Sequence, residues 1–247
     1  MRAGELAGAL AEALDVALEA GATLRDEFHR PGGPRGHGDH ADVDLEIEQV
    51  IRARLRAAFP DWGYRGEETG SIGTDSWPSF LWLVDPNDGT RNFLDGARGS
   101  AVSIALLHDR QPVLGVVYSP SAPDDDGDLF VWAEDCGPPT RNGRPIRADA
   151  WPERLDSGSI LLVSEDVQRF TRAAVVTSAP ARYRPMPSIA YRLALAAGGD
   201  GAIGASFKGA GDWDYAAGHA LLRATGGRPR GHVDAHRRRS ARAAGRG

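Results

Sequence analysis

Apolar residues recur at helical spacing in two stretches near the start of the chain. In residues 3–28, six such residues ending at Phe28 predict a long amphipathic helix. The Pro- and Gly-rich residues 31–38 break this pattern. A second helix is expected from about Asp44 to Pro60. Its apolar face would be formed by Ile47, Ile51, Leu55 and Phe59.

After Phe80 the pattern changes to short apolar runs separated by turn residues, which predicts a sheet. The expected strands are residues 81–84, 101–107, 113–117, 129–133, 159–164 and 173–176. A hairpin turn is expected at Asn142-Gly143. Two further helices are expected at residues 188–197 and 215–225. Helices and strands in this order predict a mixed α/β protein.

Charge and composition limit the kinds of partner and function that we expect for the chain. We expect two packed halves, residues 1–150 and 151–227, followed by a disordered basic tail at 228–247 that carries a net charge of +6. Residues 1–227 carry a net charge of −11. This negative charge suits carboxylates gathered around metal ions and argues against a nucleic-acid partner. No run of about 18 apolar residues is present, so no membrane partner is expected. A single cysteine, Cys136, fits a cytoplasmic location.

The segment Trp-Leu-Val-Asp-Pro-Asn-Asp-Gly-Thr, residues 82–90, places two carboxylates three residues apart where an apolar strand is expected to end. A turn stiffened by Pro86 and freed by Gly89 can direct Asp85, Asp88 and an intervening carbonyl at one point. Hard oxygen ligands of this kind suit Mg²⁺. If a helix begins just after Gly89, its N–H groups and dipole offer a seat for phosphate. A solvated turn is the alternative interpretation of this segment alone.

Three more acidic motifs stand in the chain, each of which has a simple structural explanation by itself. Asp44 can be a helix-start residue, Gly66-Glu67-Glu68 a solvated turn, and Asp214 an N-cap beside a packed tryptophan. Taken together and in this order, the four motifs resemble the signature of the inositol monophosphatase superfamily, whose members are magnesium-dependent, lithium-sensitive phosphomonoesterases. The resemblance runs from the first helix to about Gly227.

This resemblance implies an α/β fold, the layered α/β/α/β/α sandwich of the inositol monophosphatase and fructose-bisphosphatase type, in a homodimer. The implied activity is Mg²⁺-dependent hydrolysis of a small phosphorylated metabolite, as in inositol monophosphatases. Phe207 stands where inositol phosphatases often carry an acid, so other substrates stay open. The alternatives are a 3′(2′),5′-bisphosphate nucleotidase, a histidinol-phosphatase, or a catalytically inactive homologue that binds metal or phosphate.

Site residues follow from the resemblance position by position. Two or three Mg²⁺ ions, for which Mn²⁺ can substitute, would be held by Glu67, Asp85, the carbonyl of Asn87, Asp88 and Asp214, with Asp44 helping at a third, weaker site. Catalysis would involve Glu67, Thr90 and Asp44, with Thr90 orienting the attacking water in partnership with Glu67 or Asp44. The phosphate would contact Asp88, Gly89 and Thr90. The rest of the substrate would contact Ser188, Phe207 and Asp214.

Overall fold

The computed structural model describes residues 3–74, 77–147, 151–152, 154–165, 180–206 and 209–227. The chain begins with helix α1 (Ala3–Phe28), a hairpin of β1 (Gly36–His37) and β2 (His40–Ala41), and helix α2 (Asp42–Ala58). Both predicted helices are confirmed. None of the helices in the described ranges combines the length and hydropathy that crossing a membrane requires.

A large sheet is built from eight strands. They are β3 (Gly63–Gly66), β4 (Gly70–Ile72), β5 (Phe80–Asp88), β6 (Ala101–His108), β7 (Gln111–Ser119), β8 (Asp128–Ala133), β9 (Thr140–Arg141) and β10 (Arg144–Pro145). Their order is β10-β9-β8-β7-β6-β5-β3-β4, with β3 and β5 parallel and every other neighbouring pair antiparallel. The short helix α3 (Thr90–Leu94) follows β5. The hairpin turn at Asn142-Gly143 joins β9 to β10 as predicted.

The C-terminal part of the described chain forms a second, smaller sheet and two helices. The elements are β11 (Ile160–Val163), β12 (Arg182–Pro185), α4 (Ile189–Ala197), β13 (Ile203–Gly204) and α5 (Asp212–Ala224). Strands β12, β11 and β13 pair in that order and are parallel. The strand expected at residues 173–176 and the tail expected from residue 228 lie outside the described residues.

Side chains of the large sheet alternate between its two faces, and each face contributes to its own hydrophobic core. On one face, Trp82 and Ile104 pack with apolar residues of α1 and α2. On the other face, Leu83 and Val117 pack with α4 and α5, and Leu162 of β11 joins this core from the second sheet. The described residues therefore form four layers, helix, sheet, helix and sheet, which confirms the layered α/β fold class.

One glycine shows how closely α5 approaches the sheet. A Cβ on Gly115 of β7 would lie 2.4 Å from the carbonyl oxygen of Ala217 and 2.9 Å from the Cβ of Ala220. A larger residue at position 115 would push α5 off the sheet. This close approach matters because the first turn of α5 carries Asp214.

Helix α4 is fixed to the sheet by the buried carboxylate of Asp128. Arg141 donates to both oxygens of Asp128 at 2.8 and 2.7 Å, and the Tyr191 hydroxyl on α4 donates to Oδ2 at 2.8 Å. Arg141 also pairs with Asp200, just beyond the C-terminal end of α4. Since Asp128 is 1% exposed, its carboxylate oxygens have these donors as partners in place of water.

Replacing this carboxylate tests the anchor. Asp128→Ala should lower the free energy of unfolding by about 2 kcal/mol, less than a fully buried pair loses, because Arg141 keeps Asp200 as a partner. Glu134→Gln is the control: its carboxylate lies 3.7 Å from Arg223 at the surface, and it should change the same quantity by less than about 1 kcal/mol. Urea unfolding of both variants measures the difference, and equal effects would contradict the proposed anchor.

Candidate metal centre and active site

The strand that carries the acidic segment at residues 82–90 is longer than the sequence predicted, because it does not end at Val84. Strand β5 continues to Asp88, and its register against β6 shifts by one residue between Asp85 and Asp88. Asp85 lies opposite Ser103, whereas Asp88 lies opposite Ala101. Such a bulge re-aims the side chains that follow it. The alternation of β5 places Asp85 on the α5 face of the sheet.

Three carboxylates from three elements meet at this point. One oxygen each from Glu67, Asp85 and Asp214 lies within 4.8 Å of the others. Glu67 directly follows β3, and its backbone N–H donates to the carbonyl of Val84 at 3.2 Å, so the parallel pairing of β3 and β5 sets it beside Asp85. Hereafter the acidic triad means Glu67, Asp85 and Asp214.

Asp214 lies in the first turn of α5, which begins three residues earlier than the sequence pattern predicted. The backbone N–H of Gly211 donates to Asp214 Oδ2 at 2.7 Å, so the carboxylate folds back over the helix start. The partial positive charge of a helix N-terminus favours an anion there. The carbonyl of Trp213 in turn accepts a hydrogen bond from Ser103 at 3.0 Å, which ties this turn to β6.

Asp88 is held by the start of α4. Its Oδ2 accepts hydrogen bonds from the Ser188 hydroxyl at 2.6 Å and the Ala190 N–H at 2.7 Å. Ser188 also caps α4 by accepting from the N–H of Tyr191 at 2.9 Å. The Ser188 hydroxyl thus supports Asp88 from a fully buried position. Its predicted role in substrate contact stays a prediction, as does the role of Asp88 as a ligand.

Asp44 forms a separate polar cluster with the residues after the bulge. Its Oδ1 accepts from the Asn87 side-chain amide at 2.9 Å, and its Oδ2 lies 3.0 Å from the Thr90 hydroxyl. The Thr90 hydroxyl also lies 2.9 Å from the carbonyl oxygen of Asn87, which keeps a second lone pair for another partner. Asp44 is 1% exposed, and both its oxygens are engaged. The structure pairs Thr90 with Asp44 and leaves Asp44 outside the acidic triad.

Gly89 turns the chain into α3 as the motif predicted. Its φ of 103° is in the left-handed region, and a Cβ there would lie 3.1 Å from Pro187 and 3.3 Å from the Ser188 nitrogen. Its carbonyl accepts from the N–H of Phe93 at 3.1 Å, which starts the helix. The phosphate seat predicted at Gly89 stays a prediction. Phe207 lies outside the described residues.

Burial dominates the electrostatics of the acidic triad, and the repulsion between its members adds to the effect. Burial, followed by the charges of Asp88 and Glu67, raises the pKa of Asp214 to about 8. Glu67 is exposed at the rim, but its carboxylate end is partly buried among the other acids, and this burial raises its pKa to about 7. Burial and then the charge of Glu67 raise the pKa of Asp85 well above its usual range. A bound cation would relieve this repulsion.

The same forces act on the neighbouring acids. Burial raises the pKa of Asp44 to about 7, against the opposing effect of the hydrogen bonds from Asn87 and Thr90. Burial also raises the pKa of Asp88, while the hydrogen bonds from Ser188 and Ala190 act to lower it.

Sequence reasoning missed two buried charged residues near these acids. Arg192 of α4 is 2% exposed, burial lowers its pKa to about 10, and its charge interacts with Asp88. Glu48 of α2 is 0% exposed and lies one helical turn after Asp44. The available signal for Glu48 was its position: it falls on the face of α2 that carries Ile47 and Ile51, where a carboxylate is buried among apolar residues.

A family model described as the inositol monophosphatase family matches residues 6–239. The chain belongs to the inositol monophosphatase family. The family match continues beyond Gly227, where the resemblance read from the motifs ends. The matched residues include all four acidic motifs and every described strand.

Individual relatives agree with this assignment. The chain is 32% identical over 239 residues to the probable inositol 1-monophosphatase ImpA of Mycobacterium tuberculosis, covering 92% of this chain and 85% of that protein. It is 34% identical over 198 residues to the Nus factor SuhB of Xylella fastidiosa, covering 76% of this chain and 66% of that protein. Among solved structures, inositol monophosphatase from Anabaena (Nostoc) sp. superposes with a TM-score of 0.69 at 29% identity, covering 88% of this chain and 81% of that one.

The raised pKa values predict that the protein without metal loses stability as the pH rises. The folded-state pKa values are about 7 for Asp44 and Glu67 and about 8 for Asp214, above ordinary carboxyl values of 3.8 and 4.5. At pH values between the ordinary and the raised pKa values, the folded state binds more protons than the unfolded state. Stability that is present at low pH is therefore lost as the pH rises through 7 and 8.

Thermal melts in EDTA at pH 5, 6, 7 and 8 check this expectation. The melting temperature should fall across the series by more than about 2 °C, the shift that corresponds to roughly 1 kcal/mol for a chain of this size. Asp214→Asn should flatten the fall, whereas Asp42→Asn, an exposed carboxylate on α2, should leave it unchanged. A melting temperature that rises with pH would contradict the assigned electrostatics.

Proposed function

We propose that this chain is a magnesium-dependent phosphatase that hydrolyses a small phosphomonoester to an alcohol and inorganic phosphate. The observation that carries the proposal is the convergence of Glu67, Asp85 and Asp214 within 4.8 Å, inside a family of phosphatases. In ion-pair clusters that only stabilise a fold, positively charged side chains lie between the carboxylates. Here three acids instead face one another with raised pKa values, which is typical of functional sites.

The donor set fits Mg²⁺. Carboxylate oxygens are hard ligands, and Mg²⁺ binds through a few of them while retaining water. We propose that Glu67 and Asp85 hold one ion with the carbonyl of Asn87, and that Asp85, Asp88 and Asp214 hold a second. When bound, two such ions activate a water nucleophile and stabilise the leaving oxygen of the phosphoester. Mn²⁺, with similar ligand preferences, should substitute.

Thr90 and Asp44 form the other half of the proposed site. The Thr90 hydroxyl lies 3.0 Å from Asp44 Oδ2, and this distance favours Asp44 over Glu67 as its partner. With its proton directed to Asp44, Thr90 Oγ can accept a hydrogen bond from the attacking water and so orient it. Asn87 holds the opposite oxygen of Asp44 and keeps the carboxylate in this orientation.

The substrate class is proposed more narrowly from the relatives. Proteins named inositol monophosphatase are among the relatives, so inositol monophosphate is the first candidate. A bisphosphate nucleotide and histidinol phosphate are the alternatives that the sequence leaves open. Inhibition by lithium, a homodimer and a cytoplasmic location are further parts of this proposal.

Phosphate release from a substrate panel tests the proposal. Inositol 1-phosphate, adenosine 3′,5′-bisphosphate, fructose 1,6-bisphosphate and histidinol phosphate should be compared with and without Mg²⁺. At least one should be hydrolysed with Mg²⁺ or Mn²⁺, and activity should disappear in EDTA. Asp85→Asn should lower kcat/KM by at least about 100-fold, because it weakens the electrostatic stabilisation that both ions supply.

The control variant is Asp42→Asn, which removes an exposed carboxylate two residues from Asp44 and should keep normal activity. Full turnover in excess EDTA would reject the metal-dependent mechanism. Cation binding with no hydrolysis of any phosphomonoester would favour the inactive-homologue alternative.

A further inference from the structure

Glu48 is a buried carboxylate that the proposed reaction does not use. It lies on α2, 0% exposed, four residues after Asp44 and thus on the same side of the helix. Its Oε2 accepts from the backbone N–H of Glu68 at 2.8 Å, and its Oε1 accepts from the N–H of Thr69 at 2.8 Å. The Thr69 hydroxyl donates to Oε1 as well. Three donors from two consecutive residues therefore surround this one carboxylate.

The chain just before these donors is shaped to admit Glu48. A Cβ on Gly66 would lie 1.9 Å from Glu48 Oε1 and 2.4 Å from Cδ, so a side chain at position 66 would displace the carboxylate. Gly66 is also the last residue of β3 and pairs with Val84 of β5. Glu67 thus lies between two anchors, the strand pairing on one side and the turn bound to Glu48 on the other.

We propose that Glu48 is a positioning residue for Glu67, which sets the affinity of the acidic triad for divalent cations by fixing the turn at residues 67–69. This inference rests on the proposed function. The carboxylate of Glu67 must reach Asp85 and Asp214 from a loop. If that loop were fixed at only one end, the carboxylate would occupy a wider range of positions. Residues that orient metal ligands typically contribute 10- to 100-fold to metal affinity.

Direct Mn²⁺ binding, measured by electron paramagnetic resonance of the free ion, tests the inference without depending on turnover. Glu48→Gln places an amide NH₂ against the backbone donors and should raise the Kd for Mn²⁺ by about 10- to 100-fold. Gly66→Ala keeps every charge but displaces the Glu48 carboxylate, and it should weaken binding to a similar extent. In turnover assays, both variants should require more Mg²⁺ for half-maximal activity while keeping kcat near normal at saturating Mg²⁺.

Two controls separate positioning from charge. Glu68→Gln removes a carboxylate whose charge raises the pKa of Glu67, but it leaves the backbone N–H groups that bind Glu48 in place. It should change the Kd by no more than about fivefold, the range of partly exposed charge pairs. Glu46→Gln, an exposed carboxylate on the same helix that pairs with Arg35, should leave the Kd unchanged.

Each outcome supports or overturns the inference. A large effect of Glu48→Gln with none of Gly66→Ala would show that only the charge of Glu48 matters, and would overturn it. Unchanged Mn²⁺ binding in both variants would also overturn it and leave the proposed function intact. If wild-type protein binds no Mn²⁺, the proposed function fails and the inference with it. If Glu48→Gln does not fold by circular dichroism, Gly66→Ala and the milder Thr69→Val decide the matter.

Discussion

Repulsion among closely spaced carboxylates is the constraint on which the rest of this structure depends. Glu67, Asp85 and Asp214 approach within 4.8 Å, with Asp88 close enough to raise the pKa of all three. Like charges at this distance oppose folding unless they are protonated or bind a cation. The protein therefore needs a scaffold that holds the acids together against their own repulsion, and most polar contacts around the site serve this purpose.

The three acids of the triad come from different parts of the fold, and Asp85, Asp88 and Asp214 each accept a hydrogen bond from a backbone N–H group. The bulge in β5 presents Asp85, whose Oδ1 accepts from the N–H of Asn87 at 2.9 Å. The first turns of α4 and α5 hold Asp88 and Asp214, where helix N-termini favour negative charge. Glu67 is the exception, because none of the hydrogen bonds given by the described residues joins a backbone N–H to its carboxylate. The turn that carries Glu67 is instead bound by the buried carboxylate of Glu48.

The sequence predicted the main elements and located the acidic motifs, because strand alternation, helical spacing and the Asp-Pro-Asn-Asp-Gly-Thr string are local signals. It did not predict contacts that join distant segments. The bonds from Ser188 and Ala190 to Asp88 span about 100 residues and depend on how α4 packs. Strands β3 and β4 are four and three residues long, too short for a clear alternation. Glu48 falls on the apolar face of α2, but the sequence does not show which donors would bind it there.

Anomalous diffraction from crystals soaked in Mn²⁺ tests the central claim most directly, because it locates the cation without any assumption about the substrate. The account predicts an anomalous difference peak bounded by the carboxylates of Glu67, Asp85 and Asp214, and its loss in crystals of Asp85→Asn. Crystals that show no peak at this position at saturating Mn²⁺, with the three carboxylates instead hydrogen-bonded to one another, would contradict it.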